Sequence, residues 1–144
     1  MLDATLTAIP CDIAIFTAAV ADWRPDVKAA SKIKKGSSTP EIKLVENPDI
    51  LATISGLPPS TRPKLVIGFA AESENLIKNA KHKLQHKGCD VIAVNDVKNG
   101  QIFGSDENEI TLVTSGAEVK LGKNSKQKLA ELIADYAANA VTEL

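Results

Sequence analysis

The stretch "KLVIGFAAESENLIKNAKHKLQHKGCDVIAVND", residues 64–96, decides the fold of this chain. Its first and last segments, "KLVIGFAA" and "CDVIAVND", are continuous apolar runs, which are typical of strands buried on both faces. Between them, apolar residues recur at helical spacing from Leu76 to Leu84, and Gly88 is a stop signal for that helix. A strand, a helix and a second strand in this order predict two parallel strands joined by a right-handed crossover.

The flanking segments extend this unit on both sides. Before it, the sequence predicts a helix "MLDATLTAI" ended by Pro10, a buried strand "CDIAIFTAAV", a short strand "EIKLV" and a helix "NPDILATISGL". In that last helix, Asn47 is the predicted N-cap and Pro48 the first helical residue. After it, "NEITLVTSGAEVKLG" predicts a hairpin, and a final helix is predicted from about Asn124 to Val141.

These elements predict an α/β, Rossmann-like three-layer domain, with a mainly parallel sheet and a C-terminal β-hairpin. We expect residues 1–144 to form a single domain, since no linker or repeat interrupts them. A doubly wound nucleotide-binding sheet normally opens with a strand and a Gly-rich phosphate turn. This chain opens on a helix, so we expect that a first βα unit of the fold is missing.

Composition excludes several classes of protein. Seventeen basic and eighteen acidic residues give a net charge of -1, which argues against a whole-domain nucleic-acid binder. No apolar run approaches the roughly 20 residues needed to span a bilayer, and the first residues do not form a signal peptide. A cytoplasmic protein is therefore expected, without a membrane partner. Cys11 and Cys89 match no metal spacing, and both are expected to be buried near strand starts.

Three stretches follow predicted strands: "AAVADW", "GFAAES" and "AVNDV". The carboxyl ends of parallel strands form the usual ligand-binding edge of an open sheet. Small alanines allow close approach of a ligand, and Asp22, Glu72 and Asp96 could bind ribose hydroxyls, a base amino group or a metal. For one stretch alone, tightly packed alanines and a solvated acid explain the pattern better. Convergence of all three at one edge favours a ligand site.

The connection "RPDVKAASKIKKGSSTP", residues 24–40, contains no convincing element of its own. Long loops in compact domains are usually functional or disordered. Lys32, Lys34 and Lys35 could close over a polyphosphate as point charges, or could belong to a solvated basic loop. Nucleic acid is the weaker alternative, because no aromatic residues are interleaved for base stacking.

Two pairs on the central helix are four residues apart. Lys83 and Lys87 share one face, and their position alone predicts only a solvated surface. His82 and His86 lack the glutamate and the third ligand of a zinc-protease helix. We therefore interpret them as surface histidines and predict no metal ligands.

The string "AAVADWRP…KIKK…NPDIL…VIGFAAES…AVNDV…FGSDEN" closely resembles the phosphopantothenoylcysteine synthetase domain of the bacterial bifunctional coenzyme A biosynthesis flavoprotein. The resemblance covers essentially the whole chain in the right order. It implies that the chain is the C-terminal portion of the synthetase domain. The Gly/Ser-rich nucleotide loop and an asparagine of that domain are absent, so the fragment alone is expected to be inactive.

The resemblance implies a CTP-dependent ligase in coenzyme A biosynthesis that joins 4'-phosphopantothenate to cysteine through an acyl-cytidylate. It implies Mg2+ with the nucleotide, a homodimer, and FMN only in the decarboxylase domain, which this chain lacks. Lys32 matches the family's catalytic lysine. The nucleotide-binding residues implied are Phe16, Thr17, Ala18, Asp22, Lys32, Pro48, Asp49, Ile50, Leu51, Phe69, Lys83 and Lys87. A noncatalytic nucleotide-binding or dimerisation module is the alternative.

Overall fold

A computed structural model describes residues 1–27, 31, 41–97 and 105–142. Its elements are α1 (Leu2–Thr7), β1 (Ile13–Phe16), β2 (Trp23–Pro25), β3 (Leu44–Glu46), α2 (Ile50–Ser55), β4 (Leu65–Glu72), α3 (Leu76–Lys87), β5 (Val91–Asp96), β6 (Glu107–Val113), β7 (Glu118–Ser125) and α4 (Lys126–Thr142). The chain divides into two compact units, Met1–Ala18 with Ile50–Leu144, and Ala19–Asp49. The assignment of residues 1–144 to a single domain stays a prediction.

The first unit contains a five-stranded sheet in the order β1-β4-β5-β6-β7. β1, β4 and β5 are parallel, and β6 and β7 continue the sheet as an antiparallel hairpin. The predicted unit over residues 64–96 is β4, α3 and β5. Its helix ends at Gly88, which adopts a left-handed conformation (φ 66°) that glycine tolerates without strain. The predicted α/β architecture with a C-terminal hairpin is confirmed.

Successive side chains of the central strands point to opposite sides of this sheet, and both sets are apolar. Helices therefore cover both faces. One face holds the α2–α3 cluster, which comprises Ile50, Ile54, Val66, Ala70, Ala80, Leu84, Cys89, Ile92, Val94 and Val113. The other face holds the α4 cluster, which comprises Leu65, Ile67, Val91, Ala93, Ile110, Leu112, Leu129, Ile133 and Ala137. This alternation produces the predicted three layers.

The first strand departs from its prediction. β1 was expected to be buried on both faces, but Ile15 is 40% exposed. That expectation is wrong because β1 stands first in the strand order and pairs only with β4 among the described residues. Cys11, which precedes the strand, is exposed rather than buried. Cys89 is buried as predicted, and burial raises the pKa of its thiol to about 11, so the thiol stays protonated at neutral pH.

The second unit contains a strand that its sequence pattern did not predict. β2 pairs in antiparallel fashion with β3, and Trp23 lies opposite Glu46. β2 has only three residues and ends in Pro25. A proline inside a short run argues against a strand unless that strand lies at the edge of a sheet. Both strands of a two-stranded sheet are edge strands, so Pro25 is tolerated in β2.

An ion pair holds together the amino ends of β4 and β5. The Nη2 atom of Arg62 lies 3.0 Å from both carboxylate oxygens of Asp90, and its Nε donates to the carbonyl oxygen of Ser55 at 2.9 Å. The Asp90 carboxylate also accepts from the backbone N–H of Val66 at 2.7 Å. Only 19% of the Arg62 side chain is exposed. One guanidinium therefore connects the end of α2 to the start of both central strands.

Replacement of Arg62 by alanine should destabilise the protein by about 2–3 kcal/mol, since it leaves a partly buried Asp90 carboxylate without its cation. Lys64→Ala is the matched control, because the Lys64–Asp12 pair is more than half exposed on both sides. An exposed pair contributes about 0–1 kcal/mol. Urea unfolding measures both changes. Equal losses for the two variants would contradict the assigned role of Arg62.

Candidate functional site

The carboxyl ends of the three parallel strands lie at one edge of the sheet. β1 ends at Phe16, β4 at Glu72 and β5 at Asp96, and Glu72 lies opposite Asp96 in the register. Thr17 and Ala18, which follow β1, are exposed at this edge. The prediction that "GFAAES" and "AVNDV" come together is therefore confirmed for the first unit.

Gly68 allows α2 to pack directly on β4. A Cβ atom at this position would lie 2.5 Å from Cδ2 of Leu51 and 3.1 Å from Cδ1 of Ile92. Ile50 is buried, and Leu51 packs against the α2–α3 cluster. The side chains of these two predicted nucleotide residues therefore contribute to the core, Ile50 fully and Leu51 in part.

Asn47 does not cap α2, which begins at Ile50, so its prediction as N-cap is wrong. Its side-chain amide donates to the carbonyl oxygen of Ala21 at 2.7 Å, and its amide oxygen accepts from Arg24 at 3.1 Å. Its backbone N–H donates to the carbonyl oxygen of Asp22 at 2.7 Å. Asn47 thus joins the beginning and the end of the second unit. Its polar groups are paired with these segments and do not cap α2, which begins three residues further along the chain. Sequence reasoning missed this role.

Three more of the predicted residues are exposed. The side chain of Asp22 is exposed in the second unit, and Pro48 and Asp49 are exposed before α2. Lys32, the predicted catalytic residue, lies outside the described residues together with Lys34 and Lys35, so its role stays a prediction.

The two aromatic residues of the set lie on opposite faces of the sheet. Phe16 packs against the α2–α3 cluster, and Phe69 packs against the α4 cluster. Both side chains are half-buried near the carboxyl edge. Phe16 therefore lies on the side of the sheet that carries α3, and Phe69 on the side that carries α4.

Lys83 is held at the carboxyl edge by Glu72. Its Nζ lies 2.8 Å from Oε1 of Glu72, the last residue of β4. Oε2 of the same carboxylate accepts from the Asn79 side-chain amide at 2.9 Å, and that amide also donates to the carbonyl oxygen of Glu74 at 2.9 Å. Lys87, in contrast, lies in the last turn of α3, one helical turn beyond Lys83.

The environment of Glu72 favours its ionised form. The hydrogen bond from Lys83 lowers the pKa of the carboxyl group the most, and Asn79 and the charge of Lys83 lower it further, whereas burial acts in the opposite direction. The sequence singled out Glu72 as a possible ligand group but did not predict its pairing. The signal was available, because Asn79 and Lys83 are four residues apart and share one face of the helix that leaves β4.

The two histidines of α3 lie side by side on its exposed surface. The ring centroids of His82 and His86 are 6.1 Å apart, and the rings are within 10° of parallel. Within residues 1–27, 31, 41–97 and 105–142, no three histidine, cysteine or acidic side chains lie close enough to hold a metal ion. The same part of the chain contains no helix that is long and apolar enough to cross a membrane.

Comparison with known proteins identifies a family. Residues 1–141 match the model of the DNA/pantothenate metabolism flavoprotein C-terminal domain. The coenzyme A biosynthesis bifunctional protein CoaBC of Haemophilus influenzae is 42% identical over 124 residues, which cover 86% of this chain and 30% of that protein. The CoaBC protein of Mycobacterium tuberculosis strain H37Rv is 39% identical over 135 residues, which cover 86% of this chain and 32% of that protein. The chain therefore spans about a third of the length of these curated relatives.

Solved structures support the same relationship. A crystal structure of the C-terminal domain of a CoaBC protein has a TM-score of 0.73 and 26% identity, and the match covers 99% of this chain and 62% of that one. The DNA/pantothenate metabolism flavoprotein from Streptococcus pneumoniae has a TM-score of 0.71 at 18% identity, with 96% of this chain and 67% of that chain covered, and supports the fold alone.

A Glu72→Gln variant should be about 1 kcal/mol less stable than the wild type at pH 7, because an NH2 group replaces one of the two carboxylate oxygens and cannot accept from Lys83 or Asn79. The folded-state pKa of Glu72 lies below its ordinary value of 4.5. The contribution of the carboxylate is therefore fully present above pH 4.5 and is lost as the pH falls through the lower folded-state value.

Urea unfolding at pH 7 and at pH 3 measures this difference, which should shrink on acidification. Glu74→Gln is the control, because the bond from Asn79 goes to its backbone carbonyl and the substitution keeps that group. A stability difference between wild type and Glu72→Gln that stays constant across this pH range would contradict the assignment.

Proposed function

This chain belongs to the family of the DNA/pantothenate metabolism flavoprotein C-terminal domain, and from that premise we propose that it is the C-terminal portion of a CTP-dependent phosphopantothenate–cysteine ligase. The observation that carries the proposal is the carboxyl edge of β1, β4 and β5, where Thr17, Ala18 and Asp96 are exposed and Lys83 is held by Glu72. An edge of this kind is where open α/β sheets bind nucleotides.

The proposed reaction has two steps. A carboxylate oxygen of 4'-phosphopantothenate attacks the α-phosphorus of CTP, a P–O bond to the leaving pyrophosphate breaks, and an acyl-cytidylate forms. The amine nitrogen of cysteine then attacks the acyl carbon, CMP leaves with the bonding electron pair, and the amine loses a proton. The first step brings a carboxylate towards a triphosphate, so its transition state requires positive charge close to the phosphates.

Lysines provide that charge in our proposal. Lys32 stabilises the charge that develops at the α-phosphate, and Lys83 and Lys87 bind other phosphate oxygens. Residues 16–18, Asp22 and residues 48–51 line the nucleotide site, with Phe69 near the cytosine. The exposed backbone around residues 17–18 and the exposed Asp22 carboxylate are compatible with these roles, each within its own unit.

The magnesium expected with CTP fits this chain as an ion carried by the nucleotide. Protein-bound Mg2+ is commonly held by one or two carboxylates together with substrate phosphates and water, and needs no cage of three protein ligands. An exposed carboxylate within one unit, such as that of Asp96, suits a site of this kind. Bound there, Mg2+ would neutralise phosphate charge.

The remaining parts of the proposal rest on the resemblance to the family, and the relatives' names, which describe bifunctional proteins of coenzyme A biosynthesis, support only its place in that metabolism. In this proposal, the protein that contains this chain is a cytoplasmic homodimer. FMN belongs to its decarboxylase domain and not to this chain. Neither nucleic acid nor membrane is a partner.

Lys32→Gln in the complete enzyme should reduce acyl-cytidylate formation by at least a hundredfold, since it removes a charge that acts in the transition state (the loss of one such donor costs about 10²–10³ in rate). Single-turnover release of pyrophosphate from CTP measures this step. Lys43→Gln is the control, because Lys43 lies in the same unit and forms an exposed pair with Asp26. Turnover of Lys32→Gln within threefold of the wild type would remove Lys32 from the mechanism.

The 144-residue chain by itself should form little or no phosphopantothenoylcysteine, because the match to the solved CoaBC domain covers only 62% of that domain. Product formation is measured with CTP, 4'-phosphopantothenate and cysteine, and calorimetry compares the binding of CTP with that of ATP. Robust product formation by the isolated chain would contradict this expectation. Binding of CTP by a complete enzyme that forms no product would instead favour a noncatalytic nucleotide-binding module.

A further inference from the structure

We propose that Glu72 is a positioning residue, which holds the ammonium group of Lys83 at the carboxyl edge of the sheet, in place to bind a phosphate group of the nucleotide. The inference rests on the proposed function, in which Lys83 contacts CTP. It adds a residue that acts through Lys83 and does not itself touch the nucleotide.

The backbone of Glu72 is fixed on the strand side. Glu72 is the last residue of β4 and lies opposite Asp96 of β5. Its carbonyl oxygen accepts from the backbone N–H of Val97 at 3.0 Å, so the sheet ladder continues past the ends of both strands. Only 13% of the Glu72 side chain is exposed. The carboxylate therefore extends from a hydrogen-bonded strand end, and little of its side chain is exposed.

The second carboxylate oxygen fixes the orientation of the group. Asn79 bridges this oxygen and the carbonyl oxygen of Glu74. Asn75, which lies between Glu74 and Asn79 in the sequence, adopts a left-handed backbone conformation (φ 50°, ψ 39°) that few residues other than glycine and asparagine tolerate. The turn from β4 to α3 is thus held by the same side chains that orient Glu72.

This arrangement restricts a side chain that is otherwise flexible. An ordinary lysine loses rotamer freedom when it binds an anion, which weakens the binding. Lys83 is already restrained by Glu72, and its ammonium has three N–H donors, of which the carboxylate needs one. With 43% of its side chain exposed, the ammonium can present its other donors to a phosphate.

Lys81, on the same helix as Lys83, forms an ion pair that does not involve the end of β4. Its Nζ lies 2.7 Å from Oε1 of Glu118, the first residue of β7, so it is directed to the hairpin and not to the end of β4. Lys81 and Glu74 therefore offer matched controls for Lys83 and Glu72, with the same change of charge on the same helix or turn.

A purely structural ion pair would fasten α3 to β4 without an effect on nucleotide binding. The test therefore measures the KM for CTP and kcat in the complete enzyme, with both other substrates at saturation. The variants are Glu72→Gln, Lys83→Gln and the double variant, with Glu74→Gln and Lys81→Gln as controls. A contact made equally in ground and transition states changes KM and leaves kcat alone.

We expect Glu72→Gln to raise the KM for CTP about threefold to tenfold, within the range for the loss of one ordinary net hydrogen bond, with kcat changed less than twofold. Lys83→Gln should raise the KM at least as much, and the double variant should be no worse than Lys83→Gln alone. The controls should stay within twofold of the wild type. An unchanged KM for Glu72→Gln, an unchanged KM for Lys83→Gln, or multiplicative effects in the double variant would each overturn the inference.

Failure of the proposed function has a different signature, since the complete wild-type enzyme would then form no product from CTP. The positioning itself is measured in the 144-residue chain by NMR of the Lys83 ammonium. Its protons should exchange slowly with water in the wild type and in Glu74→Gln, and rapidly in Glu72→Gln. Exchange that is equally fast in all three proteins would overturn the inference whatever the enzyme catalyses.

Discussion

Burial of β4 and β5 on both faces is the constraint on which the rest of this structure depends. Ile67 lies opposite Val91 in the parallel register, and successive residues of both strands enter different apolar clusters. Two buried faces require helices on both sides, which gives three layers. A parallel pair also requires a crossover, which is α3, and directs both carboxyl ends to one edge. The position of the candidate site follows from this strand pair.

The two ends of this strand pair are closed by different polar groups. At the amino ends, Arg62 and Asp90 join α2, β4 and β5, and only 19% of the Arg62 side chain is exposed. At the carboxyl ends, Glu72 engages Lys83 but leaves its ammonium partly exposed. The first arrangement holds its cation in contacts within the fold, whereas the second leaves its ammonium exposed enough for a phosphate to reach it. The difference explains why two similar ion pairs have different proposed roles.

Much of the fold could be predicted because the apolar runs are long. The segments that became β4, α3 and β5 carry a clear period and a glycine stop, so local pattern and tertiary structure agree. β1 was misjudged because its composition matches that of a central strand, although its place in the strand order leaves Ile15 exposed. β2 was missed because three residues that include a proline carry almost no local signal. Asn47 was misassigned because it can either cap a helix or join two loop segments, and only the fold decides between these.

The sequence by itself determined the α/β class, the helix that crosses between the buried strands and the resemblance to a family, since hydrophobic period and short motifs are local properties of the chain. It also predicted that Glu72 and Asp96 lie at one edge of the sheet. Only the tertiary structure decided that Glu72 and Asn79 hold Lys83, that Phe16 and Phe69 face opposite sides, and that Ile50 and Leu51 belong to the core. The physical reason is that an ion pair or a packed side chain depends on distances between elements, and these distances exist only once the helices have docked on the sheet.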